Sequence, residues 1–233
     1  MTGACVTRSS IPCTEERPLS GPAPALLVLE GPSGVGRASA TPLADGTFLT
    51  AGHVLAHPAA PTQIGGEPVG VVQYLSFGPA WDNRGTYFGD WVHFAAPSHA
   101  STGWTASDQF PTEGEQLLVR GYPSCEEASL TKAAEIRVRI IATPSWVSDD
   151  EARLVFAVPA DSPSRIEGPG MSGGPALRRL PDGTERLVGI YVGTIRRQAF
   201  GLGRRLYVIH PVPCHIDASS DDSSQLPQVE AAG

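Results

Sequence analysis

The sequence predicts an all-β protein, and three observations carry that prediction. Glycine and proline are abundant, 26 and 22 of 233 residues, which suits many short strands joined by turns better than long helices. Two Asp-Gly dipeptides, Asp45-Gly46 and Asp182-Gly183, each separate short strand-like runs, as a two-residue hairpin turn does. About ten short apolar or alternating segments follow one another at the spacing of sandwiches and barrels. The length allows one large unit or two small packed barrels, and size does not choose between them.

In chain order, residues 25–30 form the first strand, ended by Gly31-Pro32-Ser33-Gly34, and a second runs over 35–40. The Asp45-Gly46 turn then joins 40–43 to 47–50, which puts His53 just past a strand end. A turn or two of helix is expected after Ala51. Residues 69–77 and 91–95 read as strands, and the polar stretch 97–114 reads as the join between two halves. Beyond it come 116–120, then Glu135-Ile136-Arg137-Val138-Arg139-Ile140, whose strict alternation fits a sheet with one wet face. Strands at 153–158, 175–180, 185–192 and 206–209 complete the series, with Pro181-Asp182-Gly183-Thr184 as the second hairpin turn. Four stretches result: a polar N-terminal tail (1–21), a first half (22–108), a second half (109–215), and a tail or linker (216–233). In the last, the run from Asp217 to Gln225 has no periodicity and little to bury, so disorder is expected.

Composition narrows the partners. With 17 Lys and Arg against 24 Asp and Glu, the formal charge is -7, and no dense basic run could follow a phosphate backbone; nucleic acid is not expected. No apolar stretch reaches signal-peptide or membrane-span length, so a soluble, cytoplasmic protein without membrane contact is expected. Of the four cysteines, Cys5 and Cys13 lie in the polar N-terminal tail, where a bridge would brace little; with Cys125 and Cys214 they read as free thiols in a reducing compartment.

The sharpest motif is Gly168-Pro-Gly-Met-Ser-Gly-Gly-Pro175. Its glycines permit a tight turn that could present Ser172 Oγ to a carbonyl while aiming N–H groups at the oxygen that becomes negative. The bland alternative is a glycine-rich turn with an incidental serine. Phe48-Leu-Thr-Ala-Gly-His-Val-Leu55 supplies His53 as a base, or else as a structural histidine at a strand end. Gly89-Asp-Trp-Val-His-Phe94 supplies Asp90 at the mouth of an apolar strand, where a carboxylate can fix an imidazole tautomer or simply end a turn. Asp82, in Trp81-Asp-Asn-Arg84, is the competing acid.

Together these segments resemble the chymotrypsin/trypsin-like serine peptidases, bacterial members included, over roughly residues 23–213. Thr50-Ala-Gly-His53 is similar to that family's Thr-Ala-Ala-His, Asp90 heads a strand as its aspartate does, and Gly170-Met-Ser-Gly-Gly-Pro175 is similar to its Gly-Asp-Ser-Gly-Gly-Pro. Gly121-Tyr-Pro123 also resembles a Gly-aromatic-Pro near the start of the second barrel in bacterial members. The resemblance implies two packed six-stranded Greek-key β-barrels with the active site at their interface. It also implies a serine endopeptidase acting on a protein or peptide substrate without cofactor or metal. Ser172 would be the nucleophile, His53 the general base and then acid, and Asp90 the orienting carboxylate. The N–H groups of Gly170 and Ser172 would form the oxyanion hole. Ile166, six residues before Ser172, would floor the substrate pocket and select apolar or small side chains, with Glu167 beside it as a possible acceptor for Arg or Lys.

The chain departs from secreted members of that family. Val54, Leu55 and Gly168 stand at or near positions where they carry cysteines, and Met171 replaces the aspartate that pairs with a newly freed N-terminal ammonium. Met171 is therefore expected to pack into the second barrel and hold the turn without processing, leaving restraint to a regulatory partner or a domain beyond the C-terminal linker. Three other readings remain. Gly170-Met-Ser-Gly-Gly174 also satisfies the G-x-S-x-G of an α/β-hydrolase esterase, for which Asp182 and His210 would complete the triad, although Pro175 and the hairpin after it oppose a following helix. His53 and His57 are spaced like two ligands of H-E-x-x-H but lack its glutamate. The last reading is a two-barrel binding module without turnover.

Overall fold

The structure, a computed structural model, describes residues 22–32, 34–55, 60–78, 89–97, 99, 102–123, 133–142, 154–160, 170–196, 205–212 and 216. Seven strands build the first sheet: β1 (Ala25–Gly31), β2 (Gly34–Pro42), β3 (Phe48–Thr50), β4 (Ala60–Ile64), β5 (Glu67–Pro68), β6 (Gln73–Phe77) and β7 (Val92–Ala95), in the order β5-β4-β1-β2-β3-β7-β6. The short helix α1 (Gly52–Leu55) leaves β3 directly. The second unit is a closed barrel of β8 (Gln116–Gly121), β9 (Ala134–Ala142), β10 (Val155–Pro159), β11 (Pro175–Arg179), β12 (Glu185–Arg196) and β13 (Arg205–Pro211), in the order β10-β13-β12-β11-β8-β9. The all-β, two-unit expectation holds. Among the described residues the barrel has the six strands the resemblance implied, whereas the first sheet has seven because a two-residue β5 pairs back onto β4.

Sequence patterning explains most of these elements. In β9, Ile136, Val138 and Ile140 are buried while Arg137 and Arg139 are exposed, as the alternation requires. Both Asp-Gly sites are hairpins, but not two-residue ones. Leu43 N–H donates to Thr47 O at 2.8 Å and Gly46 N–H to Leu43 O at 3.0 Å, and Leu180, Gly183 and Thr184 repeat the pattern at 2.8 and 2.9 Å. These are three-residue loops in which only the glycine has positive φ, 85° at Gly46 and 84° at Gly183. A two-residue type I′ turn would need positive φ at the aspartate too. Instead Asp45 Oδ1 accepts Thr47 N–H at 2.9 Å and Asp182 Oδ1 accepts Thr184 N–H at 2.8 Å, so each carboxylate closes its own turn.

Two expectations shift. The 69–77 segment is a strand only over Gln73–Phe77, and β4 and β5 had no distinct signal because Pro61, Gly65, Gly66 and Pro68 read as breakers. The 97–114 join is pinned to both units. Trp104 N–H donates to Pro42 O at 3.0 Å, and Ser107 N–H to Leu187 O at 2.7 Å. One apolar cluster holds Leu27, Phe48, Val92 and Phe94 of the first sheet together with Leu118, Leu187 and Ile190 of the barrel's outer face. A second cluster fills the barrel interior with Leu117, Val119, Val138, Ala157 and Ile209. The seam between the units is thus packed from both sides. The N-terminal tail, the four cysteines and the stretch after Ile216 lie outside the described residues.

Candidate active site

β3 ends at Thr50, and α1 begins two residues later, so His53 stands at the top of the first sheet with about a third of its side chain exposed (36%). Asp90 enters β7 from the tight Gly89 and is buried, at 1% exposure. Glycine is required next to it: a Cβ on Gly78 would lie 1.9 Å from Gly89 O, so the chain before β7 packs backbone on backbone. The carboxylate accepts two hydrogen bonds from one residue. His53 N–H donates to Oδ1 at 2.7 Å, and His53 Nδ1 lies 2.7 Å from Oδ2. A carboxylate can only accept, so Nδ1 carries the proton, and in the neutral ring Nε2 is left with its lone pair.

Ser172 sits on the turn between Gly170 and Gly174, where Gly170 has φ 101° and Gly173 φ 86°. The turn is held mainly by its carbonyls. Ser39 Oγ–H donates to Gly170 O at 2.7 Å, Ser39 N–H to Ser172 O at 2.9 Å and Thr41 Oγ1–H to Gly173 O at 2.8 Å, all from β2 of the other unit. Gly174 N–H donates to Met171 O at 3.0 Å, and Gly173 N–H to Tyr191 O of β12 at 2.7 Å. A Cβ on Gly173 would lie 2.1 Å from both Ser39 O and Thr50 Oγ1, so this glycine lets the serine turn press against the strand that leads to His53. Met171 is buried among the barrel core, with 1% exposure. Among the described residues, Ser172 and His53 share the seam without a hydrogen bond between them.

The rival assignments fare differently. Asp182 closes an exposed turn with Thr184, while His210 is buried, its Nδ1 2.7 Å from Pro211 O. Strand β11, not a helix, follows Ser172. The α/β-hydrolase reading therefore fails on fold. Asp82, His57, Ile166, Glu167 and Gly168 lie outside the described residues; among the described residues no cluster of metal-ligating side chains occurs.

Sequence reading missed the polar residues that surround the Ser172 turn. Ser39 and Thr41 are fully buried, although a Ser and a Thr at alternate strand positions carry no mark of a buried face. Tyr122, noted only within Gly121-Tyr-Pro123, donates its N–H to Ser39 Oγ at 2.9 Å and its hydroxyl to Pro24 O at 2.9 Å. His210 lies near Asp90; burial drives its pKa down to about 4, against the raising effects of the Pro211 carbonyl and the Asp90 charge.

The architecture defines the class: a two-barrel fold of the chymotrypsin type, with a histidine–aspartate pair and a serine turn at the seam. Solved structures agree on the fold. The chain is similar to the active form of the Rv3671c protease from M. tuberculosis, with 16% identity, TM-score 0.56, and 90% of this chain and 89% of that one covered. It is also similar to the HtrA-type protease AlgW with tripeptide (20% identity, TM-score 0.54, 82% and 56% covered). A scabies mite inactivated protease paralogue matches as well (12% identity, TM-score 0.57, 83% and 90% covered). The sequence matches no protein-family model, and no curated protein is significantly similar to it.

Proposed function

We propose that this protein is a serine endopeptidase using Ser172, His53 and Asp90 through an acyl-enzyme. The observation that carries the reading is the double hydrogen bond from His53 to buried Asp90, at 2.7 and 2.7 Å. The carboxylate fixes both the backbone and the ring of His53. A general base needs that restraint, because it keeps Nε2 unprotonated and stabilises the imidazolium formed after proton transfer. In the reaction, Ser172 Oγ attacks the scissile carbonyl carbon as its proton passes to Nε2. The carbonyl oxygen becomes an anion facing the Gly170 and Ser172 N–H groups, and His53 then protonates the leaving amine. Water repeats the cycle on the ester, releasing the new carboxylate and restoring the Ser172 hydroxyl.

Specificity follows the sequence reading: Ile166 favours apolar or small residues before the cleaved bond, and positional profiling with a peptide library tests this, strong selection for arginine overturning it. Buried Met171 supports a turn that is competent without an ammonium partner, since an ammonium inserted beside a thioether would be desolvated without an ion pair. Cytoplasmic location and restraint by a partner remain part of the proposal. An activity-based fluorophosphonate tests the central claim. Labelling that is lost in both Ser172→Ala and His53→Ala supports a peptidase; absence of labelling in the intact chain supports the binding-module reading, for which an inactivated paralogue on the same fold is a precedent.

A further inference from the structure

Residues 38–41 of β2 are all buried, and they divide by parity. Ala38 and Ala40 enter the apolar core, while Ser39 and Thr41 turn toward the serine turn. Ser39 has no exposed surface, and all its polar atoms are engaged. Its N–H donates to Ser172 O, its carbonyl accepts Thr50 Oγ1–H at 2.8 Å, and its Oγ lies between Tyr122 N at 2.9 Å and Gly170 O at 2.7 Å. A backbone N–H can only donate and a carbonyl can only accept. The hydroxyl therefore receives from Tyr122 and spends its one proton on Gly170 O.

That carbonyl belongs to the Gly170–Met171 peptide, which separates the two amides expected to face the oxyanion. Gly170, at φ 101°, is in a region that glycine enters freely and leaves as freely, so the turn itself does little to fix this peptide. Met171, apolar and buried, offers no charge that could restrain it. The space around the hydroxyl is also reserved: a Cβ on Gly121 would lie 2.8 Å from Ser39 Oγ and 3.0 Å from Met171 Sδ. We propose that Ser39 is a positioning residue for the oxyanion hole, its hydroxyl holding the Gly170 carbonyl so that the Gly170 and Ser172 amides stay aimed at the reacting oxygen. This rests on the serine-peptidase reading above. It adds that the competence of the turn is conferred across the seam by the first unit, through a neutral hydrogen bond instead of an ion pair.

The test is Ser39→Ala, which keeps the side-chain volume and removes the donor, with Ser39→Cys as a second variant whose S–H is a weaker donor on a larger atom. Removing one oxyanion donor outright lowers the chemical step by about 100- to 1,000-fold, so loosening both is expected to cost about 10- to 100-fold in kcat with KM within about twofold. The fluorophosphonate labelling rate should fall by a similar factor, because the phosphoryl oxygen occupies the same hole. Affinity for a peptide aldehyde, whose adduct carries the oxyanion, should fall in parallel. Ser39→Cys should lie between wild type and alanine. If Ser39→Ala does not fold, the cysteine variant decides by the same readouts. Wild-type protein that resists labelling overturns the peptidase reading and this one together. Wild-type protein labelled at Ser172, with Ser39 variants that keep kcat and the labelling rate, overturns the Ser39 role alone. So does a loss of thermal stability with kcat and aldehyde affinity unchanged.

Discussion

Asp90→Asn isolates the chemistry from the packing, because asparagine fills the same volume and differs in which hydrogen bonds it can make. Two donors converge on the native carboxylate, the His53 backbone N–H at 2.7 Å and the ring Nδ1–H at 2.7 Å. An amide has one accepting oxygen and one donating nitrogen. If the oxygen keeps the backbone N–H, the NH2 group faces Nδ1 and donates to it, so the neutral ring carries its proton on Nε2. The base then has no lone pair for Ser172, and the imidazolium loses its counter-charge. A loss of about 10⁴-fold in kcat is expected, which corresponds to about 5.5 kcal/mol in the barrier. The assay is turnover of a fluorogenic peptide selected from a library, with circular dichroism and a melting curve to verify folding. Asp82→Asn serves as the control and should retain activity. A folded Asp90→Asn protein with near-full kcat, or loss of activity in Asp82→Asn instead, would refute the assignment of the acid.

Other predictions follow from burial and backbone geometry. His210 prefers its neutral form in the fold, with a pKa near 4 against 6.5 when exposed. Its contribution to stability is therefore complete above pH 6.5 and lost as pH falls toward 4, about 3 kcal/mol in all. Urea unfolding at pH 7 and pH 4.5 should show a smaller loss in His210→Phe than in wild type, and equal losses would sink this account. Arg120 is fully buried and paired bidentately to Glu185 at 2.7 and 2.7 Å, and to Glu135 at 2.9 Å. Glu185→Gln should cost about 3 kcal/mol by leaving that charge undercompensated, while Arg120→Met with Glu185→Gln should recover part of the loss; additive losses in chemical denaturation would argue against the pairing. Burial raises the Glu185 carboxyl, but hydrogen bonds from Arg120 and Arg179 and their charges outweigh it and lower the pKa. Its share of stability is thus present above the usual carboxylate range and lost as pH falls through the lowered value. Gly173→Ala should abolish probe labelling, since its Cβ would lie 2.1 Å from Ser39 O, whereas Gly183→Ala, with positive φ but open space, should cost about 1 kcal/mol in stability and nothing in kcat. Equal effects of the two substitutions on labelling would contradict the close packing at the seam.

The parts of this fold legible in the sequence are those set by local chemistry. Alternation placed β9, Asp-Gly placed two hairpins, and the glycines around Ser172 marked a tight turn. What was not legible depends on the partner surface. Pro61 and the Gly65-Gly66 pair disguised β4 and β5, because breakers are tolerated at the edge of a sheet where few ladder bonds are required. The Asp-Gly loops were read one residue too short, since the dipeptide signals a turn without fixing which residue takes positive φ. Ser39 and Thr41 were invisible for a different reason. A small polar residue on alternate positions of a strand has the same pattern whether its face meets water or the backbone of another unit.

That ambiguity carries a physical lesson about the seam itself. Apolar residues at this face would pack the two units as well or better, but they could not hold a glycine-rich turn in one conformation, because dispersion is nearly indifferent to the rotation of a peptide plane. Hydrogen bonds are not indifferent. The carbonyls of Gly170, Ser172 and Gly173 each accept a proton from Ser39 or Thr41, so the turn is fixed on one side by three directed bonds from a single strand. The same strand reaches Thr50 through the Ser39 carbonyl, and Thr50 lies three residues before His53. Ser172 and His53 are thus both referenced to β2. The buried hydroxyls of Ser39 and Thr41 both have hydrogen-bond partners, so their burial carries no unmet desolvation cost. A substitution of Ser39 or Thr41 by an apolar residue of equal size should therefore disturb the relative placement of Ser172 and His53 more than it disturbs the melting temperature.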